Sequence, residues 1–205
     1  MKNILSAILS IFFLSFLATN TFAQDTNIEA IYSKAETLLY KDNNYTAAVT
    51  TAQEGLKLNE QHKDLKTILA IAQYKSGNKP VAHKLFDDLV RQHNDDVNLK
   101  VEYAHLIEKE NKQKAFRIYE SVLEKDADNL KALFFTGQYY TDAASEKLSN
   151  GGNQQEVFSL MTKGIECFER YHKLKPEDKT VIESLVQFYE SLRMTDKAAE
   201  MKKKL

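Results

Sequence analysis

Small and apolar residues recur along most of the chain with the period of a helix pair. Three segments align on Ala48, Ala82 and Ala115, at spacings of 34 and then 33 residues. An apolar or aromatic residue, or a further alanine, follows each of them four positions later: Ala52, Phe86 and Tyr119. A second amphipathic segment precedes each alanine, and the joints "KDNN", "SGN" and "KEN" carry residues that favour short turns. The pattern predicts repeated helix–turn–helix pairs.

These positions resemble the signature of the tetratricopeptide repeat family. The resemblance runs from about residue 27 to residue 205 and implies an all-α, right-handed α-solenoid of about 4.5 helix–turn–helix repeats with a continuous core. The predicted repeats are 29–62, 63–96, 97–129, 130–178 and a terminal 179–205. The chain departs from the family pattern because it has no tryptophan, and the usual terminal proline is present only as Pro176. The matching positions are Tyr32, Tyr45, Ala48, Ala70, Gly77, Ala82, Phe86, Ala104, Ala115, Tyr119, Leu133, Gly137, Tyr140, Phe168, Pro176, Tyr189 and Ala198.

The fourth repeat contains an insertion. Its two small landmark residues, Gly137 and Gly164, are 27 residues apart where the pattern requires 12, so 15 residues are extra. Shared between two helices, these predict an elongated hairpin, each arm longer by about 11 Å, with its tip at residues 150–153. On the second arm the apolar arc is unusually wide, and Phe158 and Leu160 lie at its opposite edges. Either the fifth repeat covers them, or the overhang, residues 142–163, is a contact surface.

The first 23 residues match a secretory signal peptide. One lysine precedes an apolar run that ends near Leu17, and Ala23 is the expected cleavage position. The run is shorter than the roughly 20 apolar residues of a membrane-spanning helix. We therefore expect residues 24–205 to form one exported repeat domain without a membrane span, in the periplasm or secreted.

Composition and motifs argue against several other functions. With 28 basic and 29 acidic residues, the chain gives no electrostatic reason to expect nucleic acid as a partner. Its one cysteine, Cys167, cannot form an internal disulfide. The five histidines show no i, i+4 pair, and HExxH and CxxC motifs are missing. We expect no catalytic residues, no metal and no cofactor, and hence no enzymatic activity.

The resemblance implies a protein-binding scaffold or adaptor, with a partner or peptide held on the concave face formed by the first helix of each pair. The predicted signal peptide adds the expectation that it acts in the bacterial envelope. Tyrosine–lysine pairs on the first two repeats would suit an acidic segment or a terminal carboxylate. The alternatives are a glycan-binding module that stacks sugars on Tyr40, Tyr74 and Tyr140, and a structural homodimer joined through the overhang. The residues implied for the groove are Tyr40, Lys41, Thr67, Ile71, Tyr74, Lys75, His105, Glu108, Phe134 and Gln138.

Overall fold

The computed structural model describes residues 27–205, which form ten α-helices and no strand. The predicted signal peptide, residues 1–23, lies outside the described residues. Within the described part of the chain, no helix is long and apolar enough to cross a membrane. The helices are α1 (27–40), α2 (Tyr45–Leu58), α3 (Lys63–Lys75), α4 (Lys79–Gln92), α5 (Val97–Ile107), α6 (Lys112–Leu123), α7 (Leu130–Ser149), α8 (Gln154–Leu174), α9 (Lys179–Ser191) and α10 (Thr195–Lys202).

The helices divide into two compact units. The first unit extends to Asn94 and holds α1–α4, and the second unit, Asp95–Leu205, holds α5–α10. From α2 to α4 in the first unit and from α5 to α10 in the second, successive helices pack in sequence order, as a chain of helical hairpins requires. The three aligned alanines, Ala48, Ala82 and Ala115, are all 0% exposed. The predicted all-α helical-repeat fold is therefore confirmed, and the small residues lie where neighbouring helices pack.

Asparagine and aspartate residues fix where most helices begin. Asn44, Asn111 and Asn129 each accept a hydrogen bond from the backbone N–H three residues ahead, at 3.0–3.2 Å. Asp96 and Asp178 cap α5 and α9 in the same way. Such caps satisfy N–H groups that have no partner inside the helix. The polar joints seen in the sequence thus set the length of each helix as well as its turn.

The fourth hairpin is elongated, as the insertion predicts. Its helices α7 and α8 have 20 and 21 residues, against 11–14 in α2–α6. At the tip Gly151 has φ of +70°, a backbone conformation that glycine adopts without steric cost, and Asn153 caps α8. An ion pair between Lys147 and Glu156 joins the two arms just below the tip.

The arms of this hairpin approach closely at two glycines. A Cβ atom on Gly164 would lie 2.5 Å from Thr141 Cγ2 and 3.1 Å from the Gly137 carbonyl oxygen. A Cβ atom on Gly137 would lie 3.0 Å from the ring of Phe168. Phe168 in turn belongs to the apolar cluster that joins α8 to α9 and α10. The close approach therefore positions α7 and α8 for packing the fifth pair.

Candidate functional site

A cavity of about 390 Å³ lies in the second unit and contains four of the predicted groove residues. His105 and Glu108 come from the end of α5, and Phe134 and Gln138 come from α7. We call this space the α5–α7–α9 cavity, because the first helix of each of three pairs contributes to it. Seven further residues line it: Tyr119, Leu130, Lys131, Phe135, Tyr171, Asp178 and Thr180.

Aromatic rings form the apolar wall of the cavity. The Phe134 ring lies 5.9 Å from the Phe168 ring, nearly perpendicular to it, and 6.0 Å from the Tyr171 ring. Deeper in, the buried ring of Tyr119 lies 4.8 Å from that of Phe135. Perpendicular and tilted pairs at these separations are favourable and restrict ring movement. The wall is therefore a preformed apolar surface.

Two carboxylates in the cavity accept hydrogen bonds from tyrosines. Tyr119 Oη donates to Glu108 Oε2 at 3.3 Å, and Tyr171 Oη donates to Asp178 Oδ2 at 2.9 Å. His105 Nδ1 lies 3.3 Å from the other Glu108 oxygen. Burial, reinforced by the adjacent carboxylate, raises the pKa of both Tyr119 and Tyr171, so both phenols stay protonated at neutral pH. The carboxylates are thereby held in place while keeping further capacity to accept hydrogen bonds.

The polar side chains at the edge of the cavity are suited to hydrogen-bond with a polypeptide segment bound there. Gln138 is exposed, and its amide can both donate and accept hydrogen bonds. Lys131 Nζ lies 3.9 Å from Glu102 Oε1, and this long, exposed pair contributes little energy that a ligand would have to replace. The cavity therefore offers an apolar wall between two carboxylates, with adaptable polar groups around it.

In the first unit, some of the predicted groove residues are exposed, but Ile71 is not. Tyr40 is 57% exposed, and Lys41 and Lys75 are also exposed. Ile71 is 4% exposed, so its assignment to the groove was wrong: its side chain is part of the core, where α3 packs on its neighbours. Thr67 is half-buried, and its hydroxyl donates to the Lys63 carbonyl oxygen at 3.0 Å.

The three tyrosines considered for sugar stacking differ in their surroundings. Tyr140 Oη donates to Glu120 Oε1 at 2.9 Å, and its ring lies edge-on to Phe116 at 5.2 Å. The Tyr74 ring lies edge-on to His83 at 6.0 Å. Since both are half-buried, Tyr40 is the most exposed of the set. The arrangement gives little support to a shared stacking platform.

The overhang exposes Phe158, as the contact-surface interpretation requires. Phe158 is 59% exposed, whereas Leu160 is half-buried. Leu148, on the opposite arm, is 56% exposed. The alternative in which the fifth pair covers Phe158 is therefore wrong. Helices α9 and α10 pack farther along α8, against Ile165 and Phe168.

Sequence reasoning missed Tyr171 and Asp178 as lining residues of the cavity. Asp178 shows the signal of a helix cap, since it lies just before the apolar pattern of α9. Tyr171 lies within the wide apolar arc of α8. Neither feature reveals that the two side chains meet, because their contact depends on how α8 turns into α9. The cavity lining is thus a property of the packed pairs.

Comparison with known proteins identifies the fold. No protein-family model and no curated protein matches the chain. Among solved structures, MamA residues 41 to the end from Desulfovibrio magneticus RS-1 is 16% identical, with TM-score 0.64, covering 86% of this chain and 92% of that one. Pseudomonas aeruginosa PilF is 11% identical, with TM-score 0.66, covering 89% and 76%. A human IFIT1 dimer bound to m7Gppp-AAAA is 16% identical, with TM-score 0.57, covering 87% of this chain and 40% of that one. These are tetratricopeptide-repeat structures, and the similarity establishes that this chain shares their fold.

Proposed function

We propose that the protein is a non-enzymatic interaction scaffold whose second unit binds an extended segment of a partner protein. The observation that carries this proposal is the α5–α7–α9 cavity, in which four residues implied for the groove lie together against an aromatic wall. Its volume, about 390 Å³, falls in the range of small-ligand sites and is large enough for one or two side chains. Its tyrosines donate to structural carboxylates and retain their protons, which suits binding rather than acid–base chemistry.

The chemistry of the cavity favours an apolar or aromatic anchor residue with basic neighbours. The anchor would pack against Phe134 and Tyr171, where burial of one large side chain contributes about 1.5–3 kcal/mol. Glu108 and Asp178 would then accept hydrogen bonds from basic side chains on either side of it. In the first unit we retain Tyr40, Lys41, Thr67, Tyr74 and Lys75 as proposed contacts for an acidic segment or a terminal carboxylate.

The proposed location is the bacterial envelope, most simply the periplasm, with secretion as the alternative. The support is the pattern of residues 1–23, in which a short apolar run follows one lysine and ends before Ala23. The near-balance of charge supports a protein partner over a nucleic acid.

A second candidate function is self-association or partner contact through the overhang, favoured by the exposure of Phe158. We expect Phe158→Asp to lower the fraction of dimer or of bound partner without lowering the free energy of unfolding. Ser159→Asp adds the same charge at the next exposed position and is the control. Light scattering over a range of concentrations measures the oligomeric state. An unchanged oligomer and unchanged partner binding in the Phe158 variant would contradict this second function.

The main proposal is tested by selecting binders from a random peptide library displayed on phage. Enriched sequences should share an aromatic or large aliphatic residue next to arginine or lysine. Their affinity, measured by fluorescence anisotropy, should fall at least tenfold in Gln138→Arg, because the added side chain enters the cavity and repels the basic residues. Gln113→Arg, an exposed position on α6 outside the cavity lining, should bind normally.

Two outcomes would contradict the proposal. Peptides that bind equally well to the wild type and to Gln138→Arg would place their contact elsewhere on the protein. Failure to enrich any peptide, together with saturable binding to envelope glycans, would favour the glycan-binding alternative. Thermal unfolding of each variant shows that lost binding does not reflect lost folding.

A further inference from the structure

A second cavity, of about 480 Å³, lies between α6, α7 and α8 in the second unit. Seven of its lining residues carry polar or ionisable groups that bear on its chemistry, and none of them lines the α5–α7–α9 cavity. We call it the α6–α7–α8 cavity. The seven residues are Glu120, Glu124, Thr136, Tyr140, Lys163, Glu166 and Cys167.

Thr136 lines this cavity and carries an unpaired polar atom. Its side chain is 1% exposed, and its Oγ1 atom has no hydrogen-bond partner among the described residues. Elsewhere in α7 the hydroxyls of Thr141 and Ser145 donate to carbonyl oxygens one turn earlier, at 3.1 and 2.9 Å. Buried hydroxyls in proteins are normally paired, so an unpaired one that lines a cavity suggests that a ligand supplies the partner.

The electrostatic environment of the cavity favours a cation. Glu120, Glu124 and Glu166 contribute three carboxylates, against one ammonium group from Lys163. Burial and then Glu166 and Glu120 raise the pKa of Cys167 to about 11, so the thiol is neutral at physiological pH. The protein already places one cation there, since Lys163 Nζ lies 5.3 Å from the centre of the Tyr140 ring. A cation over a tyrosine face is attracted by the ring electrons.

We propose that the α6–α7–α8 cavity binds an arginine side chain presented by a partner protein. The planar guanidinium fits beside the Tyr140 ring, where Lys163, an exposed residue, can be displaced. Its N–H groups donate to the Glu166 and Glu120 carboxylates and to Thr136 Oγ1, which completes the unpaired group. Lysine is a weaker ligand, because its single ammonium cannot contact carboxylate and hydroxyl in a fixed plane.

The test is an NMR titration of the ¹⁵N-labelled protein with the peptide acetyl-Gly-Arg-Gly-amide. We expect saturable shifts of the Thr136, Tyr140 and Cys167 amide signals. Acetyl-Gly-Lys-Gly-amide should shift the same signals with weaker affinity, and acetyl-Gly-Glu-Gly-amide should leave them unchanged. Signals from Phe134 and Gln138 should stay in place. Absence of saturable shifts at tens of millimolar arginine peptide, or equal shifts with the glutamate peptide, would overturn the proposal.

Two variants separate binding from folding. Glu166→Gln should weaken arginine binding about tenfold, since a charge-assisted hydrogen bond becomes a neutral one. Thr136→Val should also weaken it while leaving the midpoint of thermal unfolding unchanged or higher, because it removes a polar atom that has no partner. Glu183→Gln, an exposed position on α9, is the control for loss of one negative charge. Equal arginine affinity in all three variants would overturn the proposal. Peptides selected for the α5–α7–α9 cavity should bind all three normally, so either proposal can fail without the other.

Discussion

The close approach of α7 and α8 makes Gly164 the most sensitive small position of the fourth hairpin. A methyl group there would lie 2.5 Å from Thr141 Cγ2, well inside van der Waals contact. Thr141 cannot easily rotate away, because its hydroxyl bonds the Gly137 and Gln138 carbonyl oxygens at 3.1 and 2.9 Å. The Gly137 carbonyl, at 3.1 Å from the added methyl, blocks a shift of the whole helix. We therefore expect Gly164→Ala to destabilise the second unit.

The expected size follows from two opposing terms. Overpacking costs about 1–3 kcal/mol, and the contact with a stiff, hydrogen-bonded side chain favours the upper value of about 3 kcal/mol. Alanine recovers about 1 kcal/mol because it favours the helix over glycine. The free energy of unfolding should fall by about 2 kcal/mol, which lowers the thermal midpoint by about 4–8 °C in a chain of this length.

Urea unfolding followed by circular dichroism measures this change, and Thr141→Ser provides the matched test. Serine removes the clashing Cγ2 atom and keeps the hydroxyl, so it alone should cost about 1 kcal/mol for a lost buried methyl. Added to Gly164→Ala, it should cost less than the sum of the two single changes, by about 1 kcal/mol or more. A Gly164→Ala protein as stable as the wild type, or additive effects of the two substitutions, would refute the packing argument.

Three further predictions concern titratable groups of the second unit. Because the pKa of Cys167 is raised to about 11, iodoacetamide at pH 8 should alkylate it on the order of 100-fold more slowly than a free cysteine, and at the ordinary rate in urea. Burial and the ammonium of Lys204 lower the pKa of His172 below its ordinary 6.5. As the pH falls, the unfolded chain therefore binds a proton at His172 at a higher pH than the folded protein does. The free energy of unfolding should fall as pH drops from about 7 to 5, and His172→Gln should flatten this dependence. Burial acts to raise the pKa of Glu169, but hydrogen bonds from Tyr189 and Lys197 outweigh it and lower the pKa. The contribution of Glu169 to the free energy of unfolding is therefore fully present above pH 4.5 and is lost as the pH falls through the lowered pKa. In urea unfolding at a series of pH values, Glu169→Gln should remove this pH-dependent contribution.

Much of the fold follows from local sequence signals. The 34- and 33-residue spacings identify helix pairs because each pair needs small residues at its crossing, and Ala48, Ala82 and Ala115 are all fully buried. The elongated fourth hairpin follows from simple counting between Gly137 and Gly164. The position of the turn in this hairpin can also be predicted from the sequence. Glycine, here Gly151, favours the positive φ of a tight turn, and asparagine, here Asn153, favours the N-terminal cap of the next helix.

The candidate site is less predictable, because it depends on how the pairs pack. Helical register places Ile71 on the groove face, but α3 is buried around most of its circumference, with Ile68, Leu69, Ala70 and Ala72 buried as well as Ile71. Tyr171 lies in the cavity together with Asp178, to which it donates a hydrogen bond across the α8–α9 turn from seven residues away. The unpaired hydroxyl of Thr136 has no sequence signal, because whether a buried threonine finds a hydrogen-bond partner depends on its rotamer and on the helices packed around it.

Binding of a partner segment in the α5–α7–α9 cavity is tested most directly by photo-crosslinking in the producing cell. A photoreactive residue is placed at Gln138 in the cavity, and separately at Phe158 on the overhang. We predict that Gln138 captures a partner through a peptide with an aromatic or aliphatic residue beside basic ones. Capture should be lost when Phe134→Ser removes the aromatic wall from a protein that still unfolds cooperatively. A partner captured at Phe158 and not at Gln138, or capture at Gln138 that persists without Phe134, would contradict the account.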